Sequence, residues 1–505
     1  MIKIILFKFC LGLLIILNIN DIIAQEGIQP PNVVFILADD IGPGDIGYYH
    51  RVRTGKEEVV STPNIDALIK EGMRFSDAHS STALCSPSRY SILTGNYSFR
   101  CYEPWGVWDP FVRSAIGAGE HTVANVAKEA GYKTGFFGKW HLGGDWLEKG
   151  IKKIYRRPRY TQDGQVDISV NVGGGPNEFG FDYSFCLPSG IQNVPYAMFE
   201  NGEWYPLKKS SEIVNLGRNR LSYGSKRTGP GDSNWDSSKI GPILVEKAIN
   251  FIKSSDEPFF VYYCSQAVHH PHTPPDTFLG EKLKGKYSSD YLAMVKELDL
   301  QVGAIVSALK EKGVYNNTLF IFTSDNGGMG AKEMLIDRHD PSNGFRDFKG
   351  NIYEGGHRVP FIASWPGKIQ TNSESNELIV THDLMATLYS LFGLNHPIDQ
   401  AKDSKNLLPL FFSQQNASGH DFLIQQGGND SQVAIRKGEW KLILKVDKND
   451  SHVNYELTGL FNLVENPFEK EKFNLIKNKK YNDLKSQLLE KYIEVVNSKM
   501  RTTNI

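Results

Sequence analysis

A cysteine within a helix-start pattern is the first residue of this sequence that could do chemistry. The segment runs Leu84-Cys85-Ser86-Pro87-Ser88-Arg89. Ser86 or Cys85 could cap a helix in which Pro87 takes the first position, and Gly95 could end that helix. The N-terminus of such a helix offers free N–H groups to an anion, and Arg89 adds a fixed positive charge. The pattern fits an anion-binding nucleophile, and it also fits an ordinary helix start that happens to carry a cysteine.

Two pairs of oxygen-bearing side chains each follow an apolar run. Asp39 and Asp40 form the first pair, and Asp325 and Asn326 form the second. Adjacent carboxylates repel each other unless a positive charge lies between them, and a hard cation such as Ca²⁺ prefers oxygen ligands. Either pair alone could be a solvated loop or an Asx turn. The two pairs together favour a metal site.

Basic side chains follow two further apolar runs. Lys139 and His141 point to the same side if the chain is still extended, and a cation beside an imidazole suits anion binding and proton transfer. An exposed lysine and a hydrogen-bonded histidine would give the same pattern. His269, His270 and His272 cluster after the other run. A zinc site would usually add a cysteine or a Glu-x-x-His helix, so acid–base work fits these histidines better.

Four apolar runs must position these residues, and they span 33–37, 134–137, 259–263 and 319–322. Such short continuous runs are typical of strands buried on both faces. Helical patterns at 121–131 and 291–312 lie between them, which predicts an α/β fold with a mostly parallel sheet flanked by helices. Ligands bind beyond the carboxyl ends of such strands, so we expect the residues described above to meet there.

The catalytic α/β domain is predicted to cover residues 25–414 of the 505-residue chain. Within it, the interval from about 171 to 241 is rich in Gly, Pro, Asn and Tyr and lacks periodicity. A long irregular segment in a compact enzyme is usually functional, so this interval is predicted to be an irregular binding insertion.

A smaller C-terminal α+β domain, an antiparallel sheet plus a helix, is predicted for residues 415–505. A hairpin across 433–444 turns at Lys437-Gly438, and a strand follows at 456–463. The closing helix has one apolar face, formed by Tyr481, Leu484, Leu488, Tyr492, Val495 and Val496.

Residues 1–24 are predicted to be a signal peptide. Lys3 and Lys8 flank the start, and the apolar run from Phe9 to Leu17 is short for a membrane span, although a permanent anchor is the alternative. We therefore expect an exported protein, periplasmic or secreted, without a permanent membrane span.

The net charge of −1 argues against a nucleic-acid partner. With Cys10 in the signal and Cys85 catalytic, three of five cysteines remain, so this is not a disulfide scaffold.

The motifs resemble those of the formylglycine-dependent (type I) sulfatases, which have an alkaline-phosphatase-like fold. Cys85-Ser86-Pro87-Ser88-Arg89, continuing through Leu93-Thr94-Gly95, is similar to the family signature. The remaining family motifs follow in order as Asp39-Asp40, Gly138-Lys139-Trp140-His141, Asp325-Asn326-Gly327-Gly328, Lys349-Gly350 and Leu460-Phe461-Asn462-Leu463. The segment 262–280 resembles the branch that contains arylsulfatase A and N-acetylgalactosamine-6-sulfatase. There His269 matches the family histidine, and His272 is the alternative.

The resemblance implies a sulfatase that acts on sulfate esters, and we expect these to be esters of sulfated poly- or oligosaccharides. A formylglycine-generating enzyme would convert Cys85 to formylglycine, whose hydrate attacks sulfur and forms a covalent sulfo-enzyme intermediate. One Ca²⁺ would be held by Asp39, Asp40, Asp325, Asn326 and the modified Cys85. The implied catalytic residues are Cys85, Arg89, Lys139, His141 (base), His269 (leaving-group acid) and Lys349.

Two alternatives to this interpretation stay open at the level of sequence. A phosphomonoester or phosphonate hydrolase of the same fold would usually carry a Ser or Thr nucleophile and zinc ligands. A non-catalytic sugar-binding protein would keep Cys85 unmodified. A basic run, formed by Lys152, Lys153, Arg156, Arg157 and Arg159, could bind a second sulfate or a uronate, or could be a solvated loop.

Overall fold

The computed structural model describes residues 30–156, 165–217, 228–256, 258–332, 334–428, 431–448 and 454–498. The predicted signal peptide lies outside these described residues. Within them, no helix combines the length and the apolar character that a membrane crossing requires.

A central sheet of ten strands organises the larger domain. In chain order the strands are β1 (Asn32–Ala38), β2 (Met73–Phe75), β3 (Lys133–Lys139), β4 (Tyr183–Leu187), β5 (Met198–Glu200), β6 (Glu203–Tyr205), β7 (Phe259–Cys264), β8 (Thr318–Ser324), β9 (Phe361–Ser364) and β10 (Ser373–Ser375). Their spatial order is β10-β2-β9-β8-β1-β7-β3-β4-β5-β6. The five strands β8-β1-β7-β3-β4 are mutually parallel, and the antiparallel pairings lie toward the two edges. The predicted mostly parallel α/β sheet is confirmed.

Helices cover both faces of this sheet. The longer ones are α1 (Gly47–Thr54), α2 (Pro63–Glu71), α3 (Cys85–Thr94), α4 (Val123–Glu129), α5 (Ile240–Ser254), α6 (Asp290–Lys312) and α7 (Leu384–Leu391). Alternate residues of β1 enter two separate cores: Val33, Phe35 and Leu37 pack with α3, α4 and α7, and Val34, Ile36 and Ala38 pack with α2, α5 and α6. Burial on both faces explains why the strand is apolar without alternation.

The C-terminal domain is an antiparallel sheet that one helix covers. Its strands are β11 (Phe422–Gln426), β12 (Gln432–Lys437), β13 (Trp440–Val446) and β14 (Tyr455–Asn462), in that spatial order, and the helix is α8 (Asn482–Asn497). The predicted hairpin is present as β12 and β13, which turn at Gly438 with a φ of 56°. Leu488, Tyr492, Val495 and Val496 of α8 pack on the sheet, as the apolar pattern predicted.

Two details differ from the sequence predictions. The interval 171–241 is not irregular throughout, because β4, β5 and β6 within it extend the central sheet. Their few residues gave no detectable period. In α3 the N-cap is Leu84, without a side-chain cap, so Cys85 is the first helical residue rather than the cap and Pro87 is the third. Gly95 ends α3 as predicted, with a φ of 70°.

Candidate active site

The carboxyl ends of two neighbouring strands bring the two oxygen-bearing pairs together. Ala38, the last residue of β1, is in register with Ser324, the last residue of β8. The pairs that follow therefore lie side by side: Asp40 N–H donates to Asp325 Oδ1 at 3.2 Å, and Asn326 Nδ2 donates to Asp40 Oδ1 at 2.9 Å. Asp40 takes a φ of 69°, a conformation that only a few non-glycine residues adopt.

Three cations face the three carboxylates: Arg89 and Lys139 are buried, and Lys349 is partly exposed. Lys139 Nζ, at the end of β3, donates to both oxygens of Asp39, at 2.9 and 2.7 Å. Arg89, on α3, donates to Asp325 Oδ2 through Nε at 3.0 Å and Nη2 at 2.7 Å. The third cation, Lys349, donates from Nζ to Asp40 Oδ1. Buried charges are tolerated only when they are paired, so this arrangement is balanced before any ligand is added.

Burial and these pairings shift the pKa values of the charged groups. Burial lowers the pKa of Lys349, but the facing carboxylate of Asp40 more than offsets it, so the net pKa lies above its usual value. Burial raises the pKa of Asp325 and outweighs the opposing effect of the Arg89 guanidinium. Lys349 is therefore a fixed cation at neutral pH.

Two buried oxygen atoms at the strand ends lack a hydrogen-bond partner among the described residues. They are Asp40 Oδ2 and Asn326 Oδ1, and neither side chain is exposed. Asp39, Asp40 and His269 each offer a ligand atom, and these atoms all lie within 4.8 Å of one another. Unpaired buried acceptors are costly, and oxygen donors at one point are what a hard cation takes. The residues therefore fit the predicted oxygen-coordinated cation.

Cys85 lies at the N-terminus of α3, where helical N–H groups point toward the site. It is 3% exposed. Burial lowers the pKa of Arg89 and of Lys349, whereas the charges of Asp325 and Asp40, respectively, raise it, and the nearby Cys85 adds to both rises. The predicted nucleophile thus lies beside the cation cluster.

The histidines separate into different surroundings. His269 Nε2 lies 3.8 Å from Asp40 Oδ2, and its Nδ1 lies 2.7 Å from the carbonyl of His270. Since a carbonyl only accepts, Nδ1 carries the hydrogen. Burial, followed by Lys139 and Lys349, lowers the pKa of His269 well below its usual value. His272 packs edge-on against Tyr291, with ring centroids 5.4 Å apart.

His141 follows β3 directly and is buried, with a φ of 62°. Its backbone N–H donates to the carbonyl of Pro188 at 2.9 Å, which joins it to the loop after β4. Every described residue predicted for the site therefore lies at the carboxyl edge of the parallel strands or on α3, apart from Lys349, which reaches the same cluster from a loop.

The predicted basic run is only partly described. Lys153 pairs with Glu148 at 3.1 Å, and Arg156 pairs with Asp145. Arg157 and Arg159 lie outside the described residues. The two pairings reduce the positive charge that this run would offer to an anion.

Residues that the sequence predictions omitted also border the site. Cys264, the last residue of β7, interacts with Arg89 and Asp325, and burial raises its pKa to about 12, so it stays a thiol. Gln192 follows β4 next to Lys139. The sequence of β4 contains no clear apolar run, so the strand and the polar residues after it, including Gln192, were not predicted.

A second buried polar cluster lies at the joint between the domains. His79, Glu354 and His357 offer ligand atoms within 4.8 Å of one another. However, Lys441 Nζ, from β13, donates to Glu354 Oε1 at 3.0 Å and lies 3.0 Å from His357 Nε2. The ammonium already fills the place that a metal would take, so we interpret this cluster as structural.

Known proteins are similar to this chain in both sequence and fold. The Sulfatase family model matches residues 31–394, and the model described as N-sulphoglucosamine sulphohydrolase, C-terminal, matches 343–498. The chain is 32% identical to an N-acetylgalactosamine-6-O-sulfatase of Bacteroides thetaiotaomicron over 82% of each chain. It is 30% identical to human arylsulfatase A, over 82% of this chain and 74% of that protein.

A solved structure from work on glycosaminoglycan metabolism by Bacteroides thetaiotaomicron superposes with a TM-score of 0.77. The identity is 29%, and the match covers 93% of this chain and 99% of the other. Together with the strand-end arrangement of acids, cations and Cys85, these similarities establish that the chain belongs to the sulfatase family, in the branch of arylsulfatase A and N-acetylgalactosamine-6-sulfatase.

Proposed function

We propose that this sulfuric ester hydrolase removes the 6-O-sulfate of N-acetylgalactosamine units in sulfated glycans. The observation that carries the chemistry is the cluster of three cations and four oxygen-bearing side chains beside Cys85. The three carboxylates balance the three cations, so a bound divalent cation would leave the site positive and attractive to a sulfate ester. The sugar is inferred from the relatives whose names specify N-acetylgalactosamine 6-sulfate.

Two groups that are added to the chain would complete the site. Ca²⁺ held by Asp39, Asp40, Asp325 and Asn326, with the oxygen of modified Cys85, would supply polarisation of the sulfate. Formylglycine made from Cys85 by a formylglycine-generating enzyme would supply, as its hydrate, a nucleophilic hydroxyl and a second hydroxyl for release.

The side chains of this protein then perform the positioning and the proton transfers. The positive charges of Lys139, Lys349 and Arg89 stabilise the negative charge that accumulates on the sulfate group and hold the nucleophile in place. His141 takes a proton at residue 85. His269, whose Nε2 faces the site, carries a proton to the oxygen of the leaving alcohol. Burial, followed by Lys139 and Lys349, lowers the pKa of His269 in the free protein, so Nε2 takes this proton from solvent once the negatively charged sulfate is bound.

The test is sulfate release by protein that has been produced together with a formylglycine-generating enzyme. We expect turnover of N-acetylgalactosamine 6-sulfate to exceed that of the 4-sulfate isomer and of N-acetylglucosamine 6-sulfate. Activity on 4-nitrophenyl sulfate should exceed activity on 4-nitrophenyl phosphate. Faster hydrolysis of the phosphate would favour the phosphomonoesterase alternative, and preference for another sulfated sugar would refute the proposed substrate. Cys85→Ala serves as the inactive control.

We also propose that the protein is exported, because Lys3, Lys8 and the apolar run from Phe9 to Leu17 form a signal-peptide pattern. The N-terminal sequence of protein recovered from its native host tests this proposal. A mature chain that begins near residue 25 would support export with cleavage, and a chain that retains the first residues would contradict it.

A further inference from the structure

The loop that follows β4 forms a wall beside the catalytic lysine. Leu187, the last residue of β4, is in register with Lys139, and the loop continues through Ser189 and Gly190 to Gln192 and Asn193. Gly190 has a φ of +90°, and a Cβ atom built there would lie 3.2 Å from Lys139 Cδ and 2.5 Å from Gln192 Oε1. The stem of Lys139 and the amide of Gln192 therefore lie against the same glycine.

The amide of Gln192 is held with its nitrogen toward Ser189 and its oxygen over Gly190. Gln192 Nε2 donates to the carbonyl of Ser189 at 3.0 Å. Because a carbonyl can only accept, the nitrogen must face Ser189, and Oε1 must point elsewhere. The side chain is 8% exposed, and Oε1 has no hydrogen-bond partner among the described residues.

A buried acceptor without a partner is unfavourable unless a ligand supplies the donor. Asn193 repeats the feature, since its Oδ1 is inaccessible and also lacks a partner in the described part of the chain, while Nδ2 lies 3.4 Å from Ser189 Oγ. Two buried acceptors of this loop therefore lack a donor, and Gln192 lies close to the cluster that Lys139, Arg89 and Lys349 form with their carboxylates. The loop and the charged cluster suit different parts of one ligand.

We propose that Gln192 Oε1 is a specificity-determining acceptor that binds an O–H or acetamide N–H group of the sugar ring whose sulfate lies at Lys139. This inference rests on the proposed function and deepens it. An acceptor repels sulfate and carboxylate oxygens, so the loop selects an uncharged donor group of the sugar beside the sulfated position. Aryl sulfates carry no such donor and gain nothing from Gln192.

The experiment compares a sugar sulfate with an aryl sulfate in the full, formylglycine-containing enzyme. Gln192→Ala and the similarly sized Gln192→Met both remove the acceptor, and Gln414→Ala, on an exposed glutamine, is the matched control. We expect kcat/KM for N-acetylgalactosamine 6-sulfate to fall about 10- to 100-fold in both Gln192 variants, as expected for loss of one buried hydrogen bond. Turnover of 4-nitrophenyl sulfate should stay within about twofold of wild type.

A substrate analogue lacking one ring hydroxyl refines the test. If Gln192 binds that hydroxyl, kcat/KM of the wild type should be much lower for the analogue than for the complete sugar. For Gln192→Met, kcat/KM should be almost the same on both, so the two losses are not additive. Equal losses on both substrates in correctly folded Gln192 variants, or no loss on either, would overturn the proposal. Absence of wild-type activity on any sulfate ester would instead count against the proposed function, so the two failures are distinguishable.

Discussion

At the scale of single residues, we predict that Cys85 is required for turnover but not for folding. It is a small side chain at the first position of α3, so Cys85→Ala should leave the melting temperature nearly unchanged. Turnover should nevertheless fall by at least about 10⁴-fold, as for loss of a nucleophile. Cys85→Ser should also be nearly inactive if the modifying enzyme requires cysteine.

Mass spectrometry of the peptide that carries Cys85 provides the check. Conversion to the aldehyde exchanges SH₂ for O, and the active preparation should contain this lighter peptide. Multiple-turnover activity in the alanine variant would mean that another residue is the nucleophile.

The two buried oxygens without partners predict calcium binding at the strand ends. Asn326→Ala removes one of them without unbalancing the buried charges, so we expect Ca²⁺ affinity to weaken at least about tenfold while the fold persists. Chelation should lower the melting temperature of the wild type, because an ion bound only by the native state stabilises it. Metal analysis by mass spectrometry that finds two zinc ions per chain would contradict this prediction.

Substitutions of His269 and His272 should differ in how strongly the loss of activity depends on the leaving group. His269 Nε2 lies 3.8 Å from Asp40 Oδ2, whereas the ring of His272 packs on Tyr291. General acid assistance is worth roughly 10²- to 10⁴-fold, and a sugar alcohol needs it more than an activated phenol does. His269→Ala should therefore reduce sugar desulfation far more than aryl sulfate turnover. The assignment is wrong if His272→Ala, at equal formylglycine content, produces that pattern and His269→Ala does not.

At the scale of elements, α6 buries a carboxyl group without a cation. Glu297 Oε1 accepts from Gln266 at 2.8 Å and from Gln301 at 3.0 Å, and burial raises the pKa of Glu297 to about 8. The folded state thus holds the proton more tightly than the unfolded chain, in which the pKa is about 4.3. The stability linked to this proton is fully present below pH 4.3 and is lost as the pH rises toward 8.

Glu297→Gln keeps the carbonyl acceptor and cannot ionise, so it removes this loss. We expect the melting temperature of the wild type to fall more steeply between pH 5 and pH 8.5 than that of the variant. The measurement is thermal unfolding across that interval, as a difference between the two proteins, with Gln414→Ala as the surface control. Parallel curves would show that Glu297 is already ionised at pH 5.

The elements also explain what the sequence could predict. Runs such as 33–37 are apolar because both faces of β1 are buried, so the strand and the polar residues at its end were both recognisable. Short strands carry no such signal: β4 to β6 have three to five residues each and lie among turns. The cap of α3 was misplaced by one or two residues because Leu84 closes it with no side-chain hydrogen bond. The direction of the Gln192 amide depends on a contact within its loop, which no spacing encodes.

At the scale of the whole molecule, the joint between the domains depends on charges from both sides. Lys441, from the C-terminal sheet, pairs with Glu354 at 3.0 Å and Glu469 at 2.9 Å, and all three side chains are fully buried. Arg436, also from that sheet, pairs with Asp77 at 2.6 Å. Lys441→Met keeps much of the volume but leaves Glu469 without its lysine and Glu354 with Arg358 alone, which should cost about 3–5 kcal/mol.

Chemical denaturation of the variant measures that cost, and Lys437→Met, on an exposed lysine of the neighbouring strand, is the matched control. We expect a clear loss for Lys441→Met and almost none for the control. If the two variants unfold at the same denaturant concentration, the cluster contributes little to stability.

The same cluster restricts how this chain can be divided or recombined. A protease fragment that ended after residue 414 would keep Arg358, which pairs with both Glu354 and Asp77, but would lose Lys441 and Arg436, the second cation of each carboxylate. A chimera that exchanged the tail with that of a distant relative would lose the same two cations unless that tail carried basic residues at those positions. Glu354 and Lys441 lie 87 positions apart, so an exchange of one part of the chain has to preserve both partners of the pair.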